Sequence, residues 1–139
     1  MDRSIKVLLV EDDPVWRENL KSFLSREQDI TIVGTAKTKE GAIDLFEQSV
    51  AVDVVLMDIM LTPPDQYDGI DTALQLRKLG MEKIIMLTSL DEKEVILDAF
   101  DKGAINYICK TSYTDIPEAI REAHNNKVAL RATGWVNAY

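Results

Sequence analysis

Residues that can handle phosphate occur at four places in this 139-residue chain, each at the end of a short apolar run. They are the acidic stretch Glu11-Asp12-Asp13, then Asp58, Thr88 and Lys110. A parallel α/β sheet gathers the carboxyl ends of its strands along one edge, so residues distant in sequence can meet there. Carboxylates, a hydroxyl and an ammonium gathered in this way would form a pocket that holds a divalent cation and receives a phosphoryl group.

The acidic residues divide into metal ligands and a nucleophile. Mg²⁺ prefers oxygen ligands and keeps several waters, so Asp12 and Asp58 are natural direct ligands, with Glu11 or Asp13 acting through water. Asp58 is also the candidate nucleophile, because a carboxylate can attack phosphorus to form an acyl phosphate. For Asp13, directly before Pro14, capping of the next helix is an equal alternative.

Thr88 and Lys110 supply what the acids lack, a hydroxyl donor and a positive charge for phosphoryl oxygens. Taken singly, a threonine at a strand end usually belongs to a turn, and a lysine is usually a solvated surface group. The combination of all four positions is what indicates a site.

Composition narrows the class of protein. A formal net charge of −8 argues against general affinity for nucleic acid, since phosphate backbones are held mainly by Lys and Arg. The single cysteine, Cys109, excludes an intrachain disulfide and suits a reducing compartment. Neither a membrane-spanning apolar run nor a signal peptide is evident, so we expect a cytoplasmic protein with no membrane contact.

The elements that must position these residues alternate regularly along the chain. Short apolar runs predict five strands, at residues 6–10, 30–36, 53–57, 83–87 and 106–109. Amphipathic segments between and after them predict five helices, the fourth with the stripe Val95, Ile96, Ala99 and Phe100 and the fifth at about residues 115–125. This pattern predicts an α/β fold, a flavodoxin-like doubly wound sandwich with a five-stranded parallel sheet in the order 2-1-3-4-5. In that order the first and third strands are neighbours, which brings Glu11, Asp12 and Asp58 close together.

The chain is predicted to contain one domain, residues 1–126. Residues 127–139 fit no further βα unit and are predicted to be a C-terminal tail or a truncated linker. The sequence does not decide whether the chain is full length.

Four segments together resemble the response regulator receiver domain of two-component signalling: residues 7–14, 54–61, 86–89 and 103–110. The resemblance extends over residues 6–126, nearly the whole chain. It implies a Mg²⁺-dependent transfer of a phosphoryl group to Asp58 from a sensor histidine kinase or a histidine phosphotransfer protein. Mn²⁺ could substitute for Mg²⁺.

The resemblance also assigns roles within the pocket. Glu11 and Asp12 correspond to the family's acidic pair, and Asp12 and Asp58 would bind Mg²⁺ directly, with the carbonyl of Met60 completing the protein ligands. Lys110 would pair with a phosphoryl oxygen. The domain would promote its own phosphorylation and dephosphorylation, and store the phosphoryl group instead of turning over a substrate.

A switch is implied as well. Thr88 would hydrogen-bond another phosphoryl oxygen, and Tyr107 would turn inward as Thr88 moves, although ordinary strand packing is an alternative for Tyr107. The surface formed by the fourth helix, fifth strand and fifth helix would then control an output domain or partner protein, with transcription regulation as one such output. The residues do not decide whether this surface, or helices one and five, forms a phosphorylation-dependent homodimer.

Two positions depart from the family pattern. Asp58 and Gly69 are 11 positions apart, which indicates a loop at residues 62–68 that is longer than usual. Its effect on partner choice or metal access is left open. Thr111 stands where many members have proline, which leaves the local turn open as well.

Three other functions fit parts of this pattern. A flavodoxin-type FMN binder needs a loop after the first strand that cradles phosphate, and Glu11-Asp12-Asp13 would repel phosphate there. A metal-dependent phosphatase or nuclease commonly carries a second acid two residues after the first, where this chain has Met60. A receiver-like binding domain without phosphorylation is disfavoured because every required residue type is present. For Trp16, core packing is expected, with an exposed docking face as the alternative.

Overall fold

A computed structural model describes residues 4–48, 51–58, 68–81, 83–88 and 106–125. It contains one parallel sheet of five strands, which follow one another in space in the order β2-β1-β3-β4-β5. The strands are β1 (Ile5–Val10), β2 (Ile30–Ala36), β3 (Val54–Asp58), β4 (Ile84–Thr88) and β5 (Asn106–Cys109).

The central strands are apolar on both faces because helices cover the sheet on both sides. The described helices are α1 (Pro14–Leu24), α2 (Lys39–Glu47), α3 (Asp68–Lys78) and α4 (Ile116–His124), with a 3₁₀ helix at Lys110–Asp115 that is kinked at Ser112. None of the described helices is long and apolar enough to cross a membrane.

Alternate residues of β1 enter two separate cores. Leu8 and Val10 pack in a cluster with residues of α2 and α3, whereas Val7 and Leu9 pack with residues of α1 and α4. All four side chains are fully buried. The sheet is therefore the middle layer of three, and its carboxyl-terminal edge lies between the helix layers.

The helix starts follow from local sequence. Pro14 occupies the first turn of α1, where its missing N–H costs nothing, and Asp13 caps the helix by accepting hydrogen bonds from the amides of Val15 and Trp16. Thr38 caps α2 in the same way, accepting a 3.0 Å hydrogen bond from the Gly41 amide. The first cap fixes where α1 leaves the acidic stretch.

Three ties join the amino-terminal ends of the strands to their surroundings. Asp53, just before β3, accepts a 2.9 Å hydrogen bond from the Lys6 amide. Lys83, just before β4, donates to the backbone carbonyl of His124 at 2.8 Å. Arg121 of α4 donates two hydrogen bonds to the carboxylate of Asp29, just before β2, and a third to Glu27.

The predicted flavodoxin-like fold and strand order are confirmed, and several details are corrected. Asp58 and Thr88 are the last residues of their strands and do not follow them. Helix α3 begins at Asp68, inside the stretch that was predicted as a loop.

The predicted count of five α-helices is not reproduced: the described residues contain four, and the structure adds the 3₁₀ helix that the sequence did not predict. The predicted fourth helix, the predicted tail at residues 127–139 and most of the predicted long loop lie outside the described residues. The predicted fifth helix corresponds to α4.

Candidate functional site

Three carboxylates converge at the carboxyl-terminal edge of the sheet. Glu11 directly follows β1, Asp58 ends β3, and the pairing of Val10 with Met57 sets these two residues side by side. Glu11, Asp12 and Asp58 each offer a ligand atom, and these atoms all lie within 4.8 Å of one another. Glu11 is fully buried and Asp58 is only 6% exposed, whereas Asp12 is partly exposed. The arrangement concentrates negative charge in a poorly hydrated place.

Lys110 brings a positive charge to the same place. It directly follows β5, two strands away from β3, and its Nζ lies 3.3 Å from Asp58 Oδ2 and 3.3 Å from Glu11 Oε1. The ammonium donates a hydrogen bond to Asp58. Its contact with Glu11 is ionic without hydrogen-bond alignment, so the buried Oε1 has no hydrogen-bond partner. The single ammonium of Lys110 thus contacts both carboxylates.

The Lys110 ammonium alone does not offset the burial and mutual repulsion of these acids. The pKa of Glu11 is raised to about 8, first by burial and then by the hydrogen bond and charge of Asp58, which together outweigh the lowering effect of Lys110. Burial, and then the charge of Asp58, also raises the pKa of Asp12. Burial acts to lower the pKa of Lys110, but the charges of Asp58 and Glu11 outweigh it, so this pKa is raised. The pocket therefore has the character of a site for an additional positive charge.

Two residues at the start of α1, Trp16 and Arg17, also belong to the site. The sequence predicted core packing for Trp16, which is confirmed in part because the residue packs against the core, but it predicted neither contact with the site. Arg17 donates hydrogen bonds from Nη1 to the carbonyl of Glu11 at 2.9 Å and to that of Asp12 at 3.4 Å, which holds the acidic loop against the helix. The half-buried ring of Trp16 faces Lys110, with Nζ 5.2 Å from the ring centre. Asp13, by contrast, acts as a helix cap and is not part of the carboxylate cluster.

The remaining predicted residues are placed only in part. Thr88 ends β4, paired with Cys109 of β5 at the same edge of the sheet, and Tyr107 lies within β5, paired with Met86. Met60 lies outside the described residues. The described part of the site is thus the three acids, Lys110 and the start of α1.

A model of one protein family, described as the response regulator receiver domain, matches residues 7–121. This span contains every described residue of the pocket. The chain belongs to the response regulator receiver domain family. It is a signalling domain of two-component systems, as the resemblance of its sequence motifs indicated.

Individual relatives agree with this assignment. The chain is 38% identical over 130 residues to the response regulator protein VraR of Staphylococcus saprophyticus, covering 92% of this chain and 60% of that protein. It therefore spans about three fifths of the length of the curated relatives it matches.

Two solved receiver structures show the same fold. The response regulator domain of Thermotoga maritima CheB superimposes with a TM-score of 0.76 at 29% identity, covering 88% of this chain and 98% of that one. The response regulator ChrA of a heme-sensing two-component system gives a TM-score of 0.77 at 30% identity, covering 98% of this chain and 64% of that one. The match to ChrA, like that to VraR, extends over only part of a longer protein.

Proposed function

We propose that this receiver domain accepts a phosphoryl group on Asp58 from the phosphohistidine of a sensor histidine kinase or of a histidine phosphotransfer protein. The observation that carries the proposal is the position of Asp58. Asp58 ends β3 at the pocket and is 6% exposed, with ligand atoms of two further carboxylates within 4.8 Å and the Lys110 ammonium 3.3 Å from its Oδ2. A nucleophile, an acidic cluster and a cation are the parts that phosphoryl transfer to a carboxylate needs.

The residues fit a divalent cation. One ligand atom from each of the three carboxylates lies within 4.8 Å of the others, and the buried Oε1 of Glu11 lacks a hydrogen bond. Burial first, and then Asp58, raises the pKa of Glu11, so a nearby cation would favour its charged form. Asp12 and Asp58 would hold Mg²⁺ or Mn²⁺ directly, Glu11 would act through water, and the Met60 carbonyl would complete the protein ligands. The bound ion would neutralise charge on the phosphoryl oxygens.

The chemistry at Asp58 is a displacement at phosphorus. A carboxylate oxygen forms a new P–O bond while the P–N bond to the donor histidine breaks, and the leaving imidazole nitrogen keeps the electron pair. Lys110 pairs with one phosphoryl oxygen, and the hydroxyl of Thr88 donates to another. Water later attacks phosphorus while the P–O bond to Asp58 breaks, and the carboxylate oxygen keeps the electron pair, so that the products are inorganic phosphate and free Asp58. The domain thus promotes both its phosphorylation and its dephosphorylation.

The phosphoryl group would act on a surface away from the pocket. Thr88 ends β4, and Tyr107 lies on the neighbouring β5. A movement of Thr88 toward the phosphoryl group would therefore take place next to the strand that carries Tyr107. The surface that would respond comprises β5, α4 (the predicted fifth helix) and the helix predicted between β4 and β5. It would then control an output domain or a partner protein, and transcription regulation is one such output. In this proposal residues 1–126 form the receiver domain and residues 127–139 a tail or linker.

Intact-mass measurement after incubation with Mg²⁺ and a small acyl phosphate tests the proposal. Wild-type protein should gain the mass of one phosphoryl group, and Asp58→Ala should gain none. Asp44→Ala, which changes an exposed acid on α2, is the matched control and should label like the wild type. Equal labelling of Asp58→Ala, or no labelling of the wild type when Mg²⁺ is present, would contradict the proposal.

A further inference from the structure

The Lys110 ammonium has a third neighbour besides the two carboxylates. The ring of Trp16 lies beneath it, with Nζ 5.2 Å from the ring centre, within the range of an attractive cation–π interaction. The Lys110 side chain is 21% exposed, so most of it is covered by neighbouring atoms, and the ring is one of three groups near its ammonium.

The position of the Trp16 ring is fixed by the fold. Its amide donates to the capping carboxylate of Asp13, which sets the residue in the first turn of α1, immediately after the acidic stretch. The ring also packs against the buried core on the α1 face of the sheet, and with Leu20 and Phe23 it lines a cavity of about 350 Å³. It is thus anchored on the core side while it contacts Lys110.

Lysine is a flexible chain with a strongly hydrated head, so holding its ammonium in one place requires several contacts. The two carboxylates that hold Lys110 are also the acids at the proposed metal and phosphoryl site, where other cations compete for them. The aromatic ring is a contact for which neither a metal nor a phosphoryl group competes. We propose, resting on the function proposed above, that Trp16 is a positioning residue that keeps the Lys110 ammonium beside Asp58 during phosphoryl transfer.

The first test is the rate at which Asp58 is labelled by a small acyl phosphate with Mg²⁺. Trp16→Leu keeps an apolar side chain but removes the aromatic face, and we expect labelling to slow about 3- to 10-fold. Trp16→Phe keeps a weaker aromatic face and should fall between the wild type and Trp16→Leu. Val15→Ala, an exposed neighbour that lines the same cavity, should label at the wild-type rate. Wild-type labelling by Trp16→Leu would overturn the proposal.

The second test asks whether Trp16 acts through Lys110. In a Lys110→Met background, Trp16→Leu should produce no further slowing, because the ammonium that the ring positions is gone. A purely structural role of Trp16 would slow both backgrounds by the same factor, and that result would overturn the proposal. If Trp16→Leu does not fold, Trp16→Phe takes its place in both backgrounds, with the same two outcomes.

A third measurement needs neither metal nor phosphate. In NMR spectra of the metal-free protein, an ammonium chain held over an indole has its ε-methylene protons shifted upfield by the ring. We expect this shift for Lys110, its loss in Trp16→Leu and its retention in Val15→Ala. An unshifted Lys110 in the wild type would overturn the proposal. If the wild type shows the upfield shift but is not labelled, the proposed function is contradicted, whereas the contact between Trp16 and Lys110 is not.

Discussion

Glu11 and Asp58 illustrate how single residues set the character of the pocket. Glu11 is fully buried beside a second carboxylate, and its pKa rises to about 8 through burial first and Asp58 next. An acid that holds its proton more tightly when folded favours the folded state at low pH and loses that contribution as the pH rises. We therefore expect the stability of the domain to depend on pH through Glu11.

The free energy of unfolding of the metal-free protein should fall as the pH rises between about 4.5, the ordinary pKa of Glu11, and about 8, its folded value. Below this window both states keep the proton, and above it both have lost it. The expected loss is on the order of a few kcal/mol. Urea unfolding with a chelator present measures it at a series of pH values.

Glu11→Gln should flatten most of this slope, since the amide does not titrate. Glu40→Gln changes an exposed acid in the first turn of α2 and should leave the slope as in the wild type. An equally steep slope in Glu11→Gln would assign the pH dependence to other groups. The pKa of Asp12, which is also raised, adds a contribution of the same sign that Glu11→Gln leaves in place.

Among the residues of the pocket, the acids and Lys110 could be predicted from the sequence. They lie at the ends of apolar strands, and the carboxyl ends of parallel strands meet at one edge of the sheet. The sequence could not predict Arg17 and Trp16 as part of the site. Their contacts depend on the residue at which α1 begins and on the direction in which the helix leaves the loop. Asp13 shows the same dependence, because only the cap geometry separates its role from that of a ligand.

Among the elements, α4 packs its buried face against the sheet and is also joined to the rest of the fold by the polar contacts of one side chain. Arg121 forms a two-point contact with Asp29, with hydrogen bonds of 2.8 and 2.9 Å, and also contacts Glu27. The hydrogen bond from Arg121 is the main cause of the lowered pKa of Asp29. This contact joins the last described helix to the turn between α1 and β2.

We expect Arg121→Ala to lower the free energy of unfolding by about 1 kcal/mol, the upper part of the range for partly exposed ion pairs, because the geometry is two-pronged. Arg121→Lys should recover only part of the loss, since an ammonium cannot make the parallel pair of bonds. Urea unfolding checks both changes. Lys21→Ala breaks a 3.8 Å contact between exposed groups and should have no measurable effect.

Two helical segments show what the sequence pattern does not predict. The 3₁₀ helix at Lys110–Asp115 follows β5 directly and was not predicted, because its polar sequence has no helical periodicity. Its conformation comes from the tertiary packing that leads into α4, including the edge contact of Tyr113 with Phe23 of α1. The start of α3 was misplaced for a related reason, since Asp68 and Gly69 have the composition of a turn but lie within the helix.

For the molecule as a whole, the proposed metal site predicts that stability depends on Mg²⁺. A ligand that binds only the folded state stabilises it by mass action, by about 2.7 kcal/mol at 100 times its dissociation constant. Thermal unfolding at about pH 8 should therefore shift to higher temperature with added Mg²⁺ and return with a chelator. Asp12→Asn removes a proposed direct ligand and should reduce the shift, whereas Asp44→Asn on the surface of α2 should not. An equal shift in Asp12→Asn would contradict the ligand assignment.

The whole fold was predictable because the pattern repeats. The apolar residues of β1, β3 and β4 are buried, as strands covered on both faces require. Five strands that alternate with helical segments along the sequence leave few ways to form one parallel sheet. Periodicity alone does not determine the strand order, and the resemblance to a family also supported its prediction. The pairing of β1 with both β2 and β3 is the observation that fixes it.

The ties formed by Asp53, Lys83 and Arg121 all lie at the amino-terminal ends of strands, and the carboxylate pocket lies at the opposite ends. Substitutions that add contacts at the amino-terminal ends of the strands can therefore raise the free energy of unfolding without changing a residue of the pocket. We expect such variants to be more thermostable and to keep the geometry of the pocket.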